Sequence, residues 1–570
     1  MAKMLVTDVI VSILEDEGID VAFGIPGAAI NPFYRSLGQS KKIRHFIARH
    51  EEGACHSADA YTRATGKVAL AIATSGPGAT NFVTGLYTAQ VDAIPMIAIT
   101  GQNVRALLGK EAFQAVDIAE ISKPVCKKTY CITDSYTVPS LMREAFRIAR
   151  EGRPGPVLID LPMDLQKEEI DYDPAADHSL EIFKPSPCMS AIEKTIDMIL
   201  EAKAPVMLCG GGVMISDSYK EFVELAEHLG VAMVSTYQAK GAIPWDHPQY
   251  AGNVGIQCNQ LTANKVFLES DLVLGVGCRF VDRHTGDLAV YTKGRKFIHI
   301  DIDPKQIGKI VPTELGIISD AKLALEALIE VAKKKTEKRN PAARVTSIPA
   351  LKKELARKTD FDDTPIKPQR VFGEINAFFD ENTYFTSGCG LNQIWSGQFQ
   401  EIFKPRKYIM CGCAGTLGYD IPAAIGCKIA YPDCHAVAIM GDGGFGFLCA
   451  ELAVAAQYDL PIIVIVLNNG YLSLIRQNQK YALGFEYDVD LRYGENMLDI
   501  PKISEGFGCY AERVETPDGI RPALERAVKS GKPAVLDIMV ERTADCSMGM
   551  AIDAIKEFEP LPIPTPKPRA

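Results

Sequence analysis

The residues best placed to do chemistry are the turn Gly441-Asp442-Gly443 and the pair Asn468-Asn469, with Asn469 standing 27 positions beyond Asp442. The apolar run AVAIM (436–440) leads into the first, and IIVIVL (462–467) leads into the second, with the amphipathic stretch FLCAELAVAAQ between them. Strand, turn, helix and strand in that order predict a βαβ unit, which returns both turns to one carboxyl edge of a parallel sheet. Open α/β sheets bind their ligands at that edge. Glycines let a diphosphate approach the backbone, and a helix N-terminus favours its negative charge. Asp442 and Asn469 would add hard oxygen ligands suited to Mg²⁺ beside phosphate oxygens. Taken singly, GDG is a tight turn and NN a strand-end turn; the spacing makes them a cofactor signature.

Two further groups stand out. Arg49-His50-Glu51-Glu52 follows the strand-like HFIA and opens a helix, GACHSADAYTRATG. Read locally, Glu51 complements the helix dipole. In the middle of the chain, Gly210-Gly211-Gly212 follows one strand and Arg279 another, Asp301 and Asp303 lie in HIDID, and Asp320 ends LGIISD. Strand-edge positions of this kind suit phosphate and ribose contacts, although glycine-rich strand ends are also frequent turns.

The elements that position these residues read as three α/β domains. Within 1–185, Thr7 is expected to cap the helix VIVSILEDEG, strand VAFGI enters the turn Gly24-Ile25-Pro26-Gly27, and strand VALAIAT enters SGPGATN. A second run, 190–335, alternates the strands VMLCGGG, AMVST, LVLGVG and KFIHIDID with helices. A charged, proline-punctuated surface linker with one helix fills 336–367. The third domain, 368–545, holds the βαβ unit, and the tail 546–570 ends in the extended PLPIPTPKPRA. The first and third domains share one α/β rhythm, compatible with a duplicated fold.

With 570 residues, each domain is long enough for its own core. A net charge of −10 argues against nucleic acid as a partner, while leaving room for small anions held by local arginines. Apolar runs stop well short of a bilayer span, and Asp8, Glu15 and Asp16 interrupt the N-terminal one, so neither a membrane segment nor a signal peptide is expected. Fifteen cysteines without a C-x-x-C pair suit buried thiols in a reducing cytoplasm, with Cys411-Gly412-Cys413 read as structural.

The GDG…NN pairing resembles the signature of thiamine diphosphate-dependent decarboxylases and carboligases. That resemblance implies three doubly wound parallel-sheet domains: pyrimidine-binding, FAD-binding-like, and diphosphate-binding. It implies that Asp442, Asn469 and the Tyr471 carbonyl ligate Mg²⁺, and that Pro26, Asn81, Gly441 and Gly443 contact thiamine diphosphate. Leu417 would sit under the thiazolium. Glu51 would meet the aminopyrimidine N1′ and promote the imino tautomer that takes the thiazolium C2 proton. Because Glu51 and Asp442 belong to domains that face each other across subunits in such enzymes, a homodimer or homotetramer is implied.

Over nearly the whole chain, TSGPGATN, ITGQ, AFQAVDI, RPGPVLIDLP and HIDIDP resemble the acetohydroxyacid synthases and the glyoxylate carboligases. Both imply small 2-oxo acid substrates and a largely structural FAD, here contacted by Arg153, Gly211, Arg279, Asp301 and Asp320. GIPGAAINPFYRSL, DRHTG, YTKGRKFIHIDI, LGIISDAK, NNGYLSLIRQNQ and SMGMAIDAIKEFE look closer to the glyoxylate carboligases. Asn478 stands where the synthases carry a tryptophan. Glu51 and Cys389 depart from the carboligase pattern, which has valine and isoleucine there. The favoured expectation is condensation of two glyoxylates to tartronate semialdehyde and CO₂; the alternative is acetolactate synthesis from pyruvate. Arg283 is a candidate clamp for the acceptor carboxylate, or else an FAD or interdomain contact. Phe113 and Gln114 would line the acceptor pocket from the neighbouring subunit.

Overall fold

The computed structural model describes residues 2–559, and the proline-rich end of the tail lies outside them. Three six-stranded, all-parallel sheets carry the molecule. The first runs Arg44–Ile47, Val21–Gly24, Ala69–Ala73, Met96–Gln102, Pro156–Pro162, Lys128–Cys131 across its width. The third runs Tyr408–Met410, Tyr384–Ser387, Ala436–Gly441, Ile463–Asn468, Ala534–Met539, Tyr510–Val514. Numbered within each domain, both read 2-1-3-4-6-5, so the shared rhythm of the sequence is a shared topology. The middle sheet has a different order, 3-2-1-4-5-6, from Tyr250–Asn253 to Leu315–Ile318. Its strand order reverses between Pro205–Cys209 and Leu272–Val276, which opens a crevice at their carboxyl ends.

Continuous apolar runs are what a parallel sheet covered on both faces demands. Ala436–Met440 and Ile463–Leu467 are buried throughout. The first and third domains then share one core. Helix Glu51–Thr65 packs along helix Asp420–Ala430, and both are lined with small residues. Gly426 makes this approach possible, since a Cβ there would lie 2.3 Å from the Ser57 carbonyl oxygen. Ser57 donates its hydroxyl to the Pro422 carbonyl across the seam at 2.9 Å.

Several local expectations change. Thr7 lies inside helix Val6–Asp16 and takes a hydrogen bond from Ser36 instead of capping, because strand Ala2–Leu5 pairs antiparallel with Glu169–Tyr172 and fixes the helix start earlier. The linker is less of a surface feature than its charge suggests: Val345, Ile348 and Leu355 are buried, and Arg357 pairs with Glu557 at 2.7 Å. The expected single helix after Gly441 is broken into Asp442–Leu448, a tight 3₁₀ turn Cys449–Glu451, and Leu452–Gln457.

Candidate active site

Two strand edges carry the candidate residues. On the first sheet, Glu51 opens its helix directly after the extended His50, whose imidazole Nδ1 accepts the Glu52 N–H. Glu51 Oε2 accepts from Asn81 Nδ2 at 2.9 Å, an amide supplied by the turn following Ala69–Ala73. Gly78 leaves room at the other carboxylate oxygen, for a Cβ there would lie 3.2 Å from Glu51 Oε1. Gln114 packs on Gly76 of the same turn with a left-handed φ of 55°, and Phe113 beside it is 86% exposed. Pro26 is exposed on the neighbouring strand-end turn. The Thr74 hydroxyl, buried here, has no hydrogen-bond partner. The edge thus carries a carboxylate with one oxygen held by Asn81 and the other free of protein donors, beside exposed side chains.

On the third sheet, Gly441 is extended and Asp442 begins a helix, so the strand-to-helix turn forms as expected. Burial pushes the Asp442 carboxyl up to about 7, partly offset by the Asn469 N–H that it accepts at 3.4 Å. Asn469 Oδ1 accepts from the Ser473 hydroxyl at 2.8 Å, and the Tyr471 carbonyl lies 3.2 Å from the same hydroxyl. Leu417 is half-buried between Gly415 and Gly418, both with positive φ. Its loop is tied to the first domain by a 2.8 Å contact between the Thr416 and Thr88 hydroxyls.

A cavity of about 1370 Å³ runs from the crevice of the middle sheet to this edge. Arg153, Gly211, Arg279, Asp301 and Asp320 line one part, and Arg283, Cys389 and Asn478 line another. The structure thus gathers the middle-domain candidates and two of the four substrate candidates around one space. Phe113 and Gln114 are instead beside Glu51.

Sequence reasoning missed two buried carboxylates. Asp92 accepts from Arg63 and Arg279, both at 3.1 Å, and from the Cys413 N–H at 3.3 Å, joining all three domains at the cavity wall. Glu451 accepts the N–H groups of Arg49 and His50. Neither has a sequence signal, because their partners are remote in the chain.

The sequence matches three family models in order: the N-terminal thiamine pyrophosphate-binding domain over 4–121, the central domain of thiamine pyrophosphate enzymes over 192–328, and the C-terminal thiamine pyrophosphate-binding domain over 388–538. The chain belongs to the thiamine pyrophosphate (thiamine diphosphate) enzymes, and within them to the carboligases of the glyoxylate carboligase and acetolactate synthase kind. It is 45% identical to a glyoxylate carboligase of Escherichia coli O157:H7, covering 98% of this chain and 97% of the relative. It is 38% identical to a probable acetolactate synthase large subunit of Methanococcus aeolicus, covering 95% and 93% of the two chains. An acetolactate synthase large subunit of Corynebacterium glutamicum is 39% identical over 95% of this chain and 88% of its own.

Two cofactor expectations are corrected. The expected FAD is not supported: the middle segment matches a thiamine pyrophosphate enzyme central domain. The polar groups assigned to FAD are spent on protein. Arg153 and Arg279 donate to the Val91 carbonyl, Asp301 accepts the Asp303 N–H, and Asp320 caps helix Ala321–Lys335 while pairing with Lys184 at 3.0 Å. The Mg²⁺ site of Asp442, Asn469 and Tyr471 is withdrawn as well. Among the described residues no group of three or more His, Cys, Asp or Glu side chains is placed to hold a metal ion. The three oxygens are taken by the Asn469 N–H and the Ser473 hydroxyl.

Proposed function

We propose that this enzyme condenses two molecules of glyoxylate into tartronate semialdehyde with release of CO₂. The observation that carries the reading is the 45% identity to a glyoxylate carboligase across 98% of the chain. Thiamine diphosphate, when bound, supplies an electron sink for decarboxylation and for carbon–carbon bond formation.

In this reading Glu51 would be the carboxylate that holds or moves a proton at the coenzyme's pyrimidine nitrogen, and Asn81 holds that carboxylate in orientation through the 2.9 Å bond. Pro26 forms part of the same pocket wall. At the opposite edge, the backbone of Gly441, Asp442 and Gly443 would receive the diphosphate, and Leu417 would support the thiazolium. Arg283, 70% exposed in its side chain, is free to fork onto a substrate carboxylate. Asn478, smaller than an indole and exposed at a helix end, leaves the acceptor pocket open and polar.

Glu51 and Asp442 sit on separate domain edges with exposed apolar side chains: Phe113 at one, and Phe447 and Leu491 at the other. Two copies related by a twofold axis, with unlike edges facing each other twice, would complete each pocket and cover that surface, so the active unit is a homodimer or a pair of dimers. The described residues hold no helix long and apolar enough to cross a membrane, and all fifteen cysteines are free, which supports a cytoplasmic enzyme.

The test is to supply thiamine diphosphate in physiological salts and follow CO₂ release from glyoxylate and from pyruvate separately. Release from glyoxylate with tartronate semialdehyde formation is expected. Preferential use of pyruvate with acetolactate formation would replace the substrate assignment.

A further inference from the structure

The backbone just ahead of Glu51 has an unusual set of partners. Between strand Arg44–Ile47 and helix Glu51–Thr65 the chain must turn; the Ala48 N–H still donates to the Gly24 carbonyl, but those of Ile47, Arg49 and His50 do not bond to neighbouring backbone. Side chains of the third domain take them up. Ile47 N–H donates to the Tyr458 hydroxyl at 3.0 Å, and the Arg49 and His50 N–H groups both donate to Glu451 Oε1, at 2.9 and 2.8 Å. The Arg49 guanidinium reaches Gln457. Glu451 is 1% exposed and fits only because residue 53 is glycine: a Cβ there would lie 2.6 Å from the Glu451 carboxyl carbon. The 3₁₀ turn Cys449–Glu451 breaks the helix that begins at Asp442 and places this side chain on the seam between domains. One short segment therefore connects the Asp442 turn to the start of the Glu51 helix.

We propose that Glu451 is a positioning residue for the reaction, its carboxylate fixing the chain at Arg49 and His50 and thereby the reach of the Glu51 carboxyl group. This rests on the proposed role of Glu51. Glu451 touches neither substrate nor coenzyme in this reading; it acts through two peptide groups. Burial pushes its carboxyl up to about 7, and the nearby Glu51 charge adds to this, while the two N–H donors and the Arg49 guanidinium oppose it. Glu451 thus changes charge near neutrality next to the group that it holds. Below that pH it still accepts through one oxygen, as a neutral carboxyl.

The experiment compares Glu451→Ala, Glu451→Gln and Glu51→Gln in the full-length protein loaded with thiamine diphosphate. Glu451→Ala should lower kcat roughly 10- to 100-fold, the cost of a misplaced reacting group, with KM within about twofold of wild type. Glu451→Gln retains an acceptor oxygen, so it should recover most of that loss while shifting the limb of the pH–rate profile near pH 7. Hydrogen exchange at the Arg49 and His50 amides should accelerate in Glu451→Ala and remain slow in Glu451→Gln. Wild-type kcat and pH profile in both Glu451 variants, with Glu51→Gln inactive, would overturn the proposal and leave the role of Glu51 standing. Wild-type turnover by Glu51→Gln would overturn that underlying reading instead. If Glu451→Ala fails to fold, an unshifted pH profile in Glu451→Gln decides against the proposal.

Discussion

Glu51 illustrates how a side chain gains a chemical role from its surroundings. An acidic residue in the first turn of a helix ordinarily stabilises the helix dipole and nothing more. Here one oxygen is held by Asn81 and the other faces the gap beside Gly78. Replacing the carboxylate with an amide leaves shape and removes the proton acceptor, so Glu51→Gln should reduce kcat by ~10²–10⁴-fold while thermal unfolding is unchanged. Steady-state rates with matched melting curves check this. Asp420 shows a different use of burial. It starts helix Asp420–Ala430, accepts the Gly388 N–H, and has its carboxyl pushed up to about 7 by desolvation. The folded state therefore keeps a proton that the unfolded chain releases near its ordinary value of 3.8, so this group lowers stability progressively as pH rises from there through 7. Asp420→Asn keeps an acceptor without the charge. Its melting temperature should gain on wild type as pH rises from about 4 to about 7 and level off above, and a gain that is flat across that range would contradict the buried-carboxyl account.

Among elements, the paired helices Glu51–Thr65 and Asp420–Ala430 decide how the first and third domains meet. Their contact depends on absent side chains. Gly426→Val would drive a branched side chain into the Ser57 carbonyl and should cost about 1–3 kcal/mol, as overpacking of a fitted core does, measured by denaturant unfolding. Strands bearing Gly441 and Asn469 could be read from sequence because buried parallel strands announce themselves as unbroken apolar runs. The turn residues could be read because glycine and aspartate mark a strand end. The roles of Glu451 and Asp92 could not, since they depend on partners in other domains, Arg49 and His50 for the first and Arg279 and Cys413 for the second. The two withdrawn cofactors came from the same limitation. Strand-edge arginines and aspartates look free in a sequence, whereas Arg279, Asp301 and Asp320 are engaged by neighbouring chain.

For the molecule as a whole, the repeated 2-1-3-4-6-5 order of the outer domains means that each supplies an equivalent edge, one bearing Glu51 and the other Asp442. A second copy turned end for end would bring unlike edges together twice. Mixing Glu51→Gln subunits with Gly441→Val subunits, whose branched side chain would occupy the open space beside that turn and block the diphosphate, should, after dissociation and reassociation, restore about a quarter of wild-type activity, because half of the random dimers would hold one intact site of two. Two inactive parents giving an inactive mixture would indicate that each chain completes its own site. The reaction assignment is reached most directly by balance. With ¹³C-labelled glyoxylate, thiamine diphosphate and wild-type protein, the account predicts one CO₂ and one tartronate semialdehyde for every two glyoxylates consumed. Glyoxylate left intact, while pyruvate disappears into acetolactate, would contradict it.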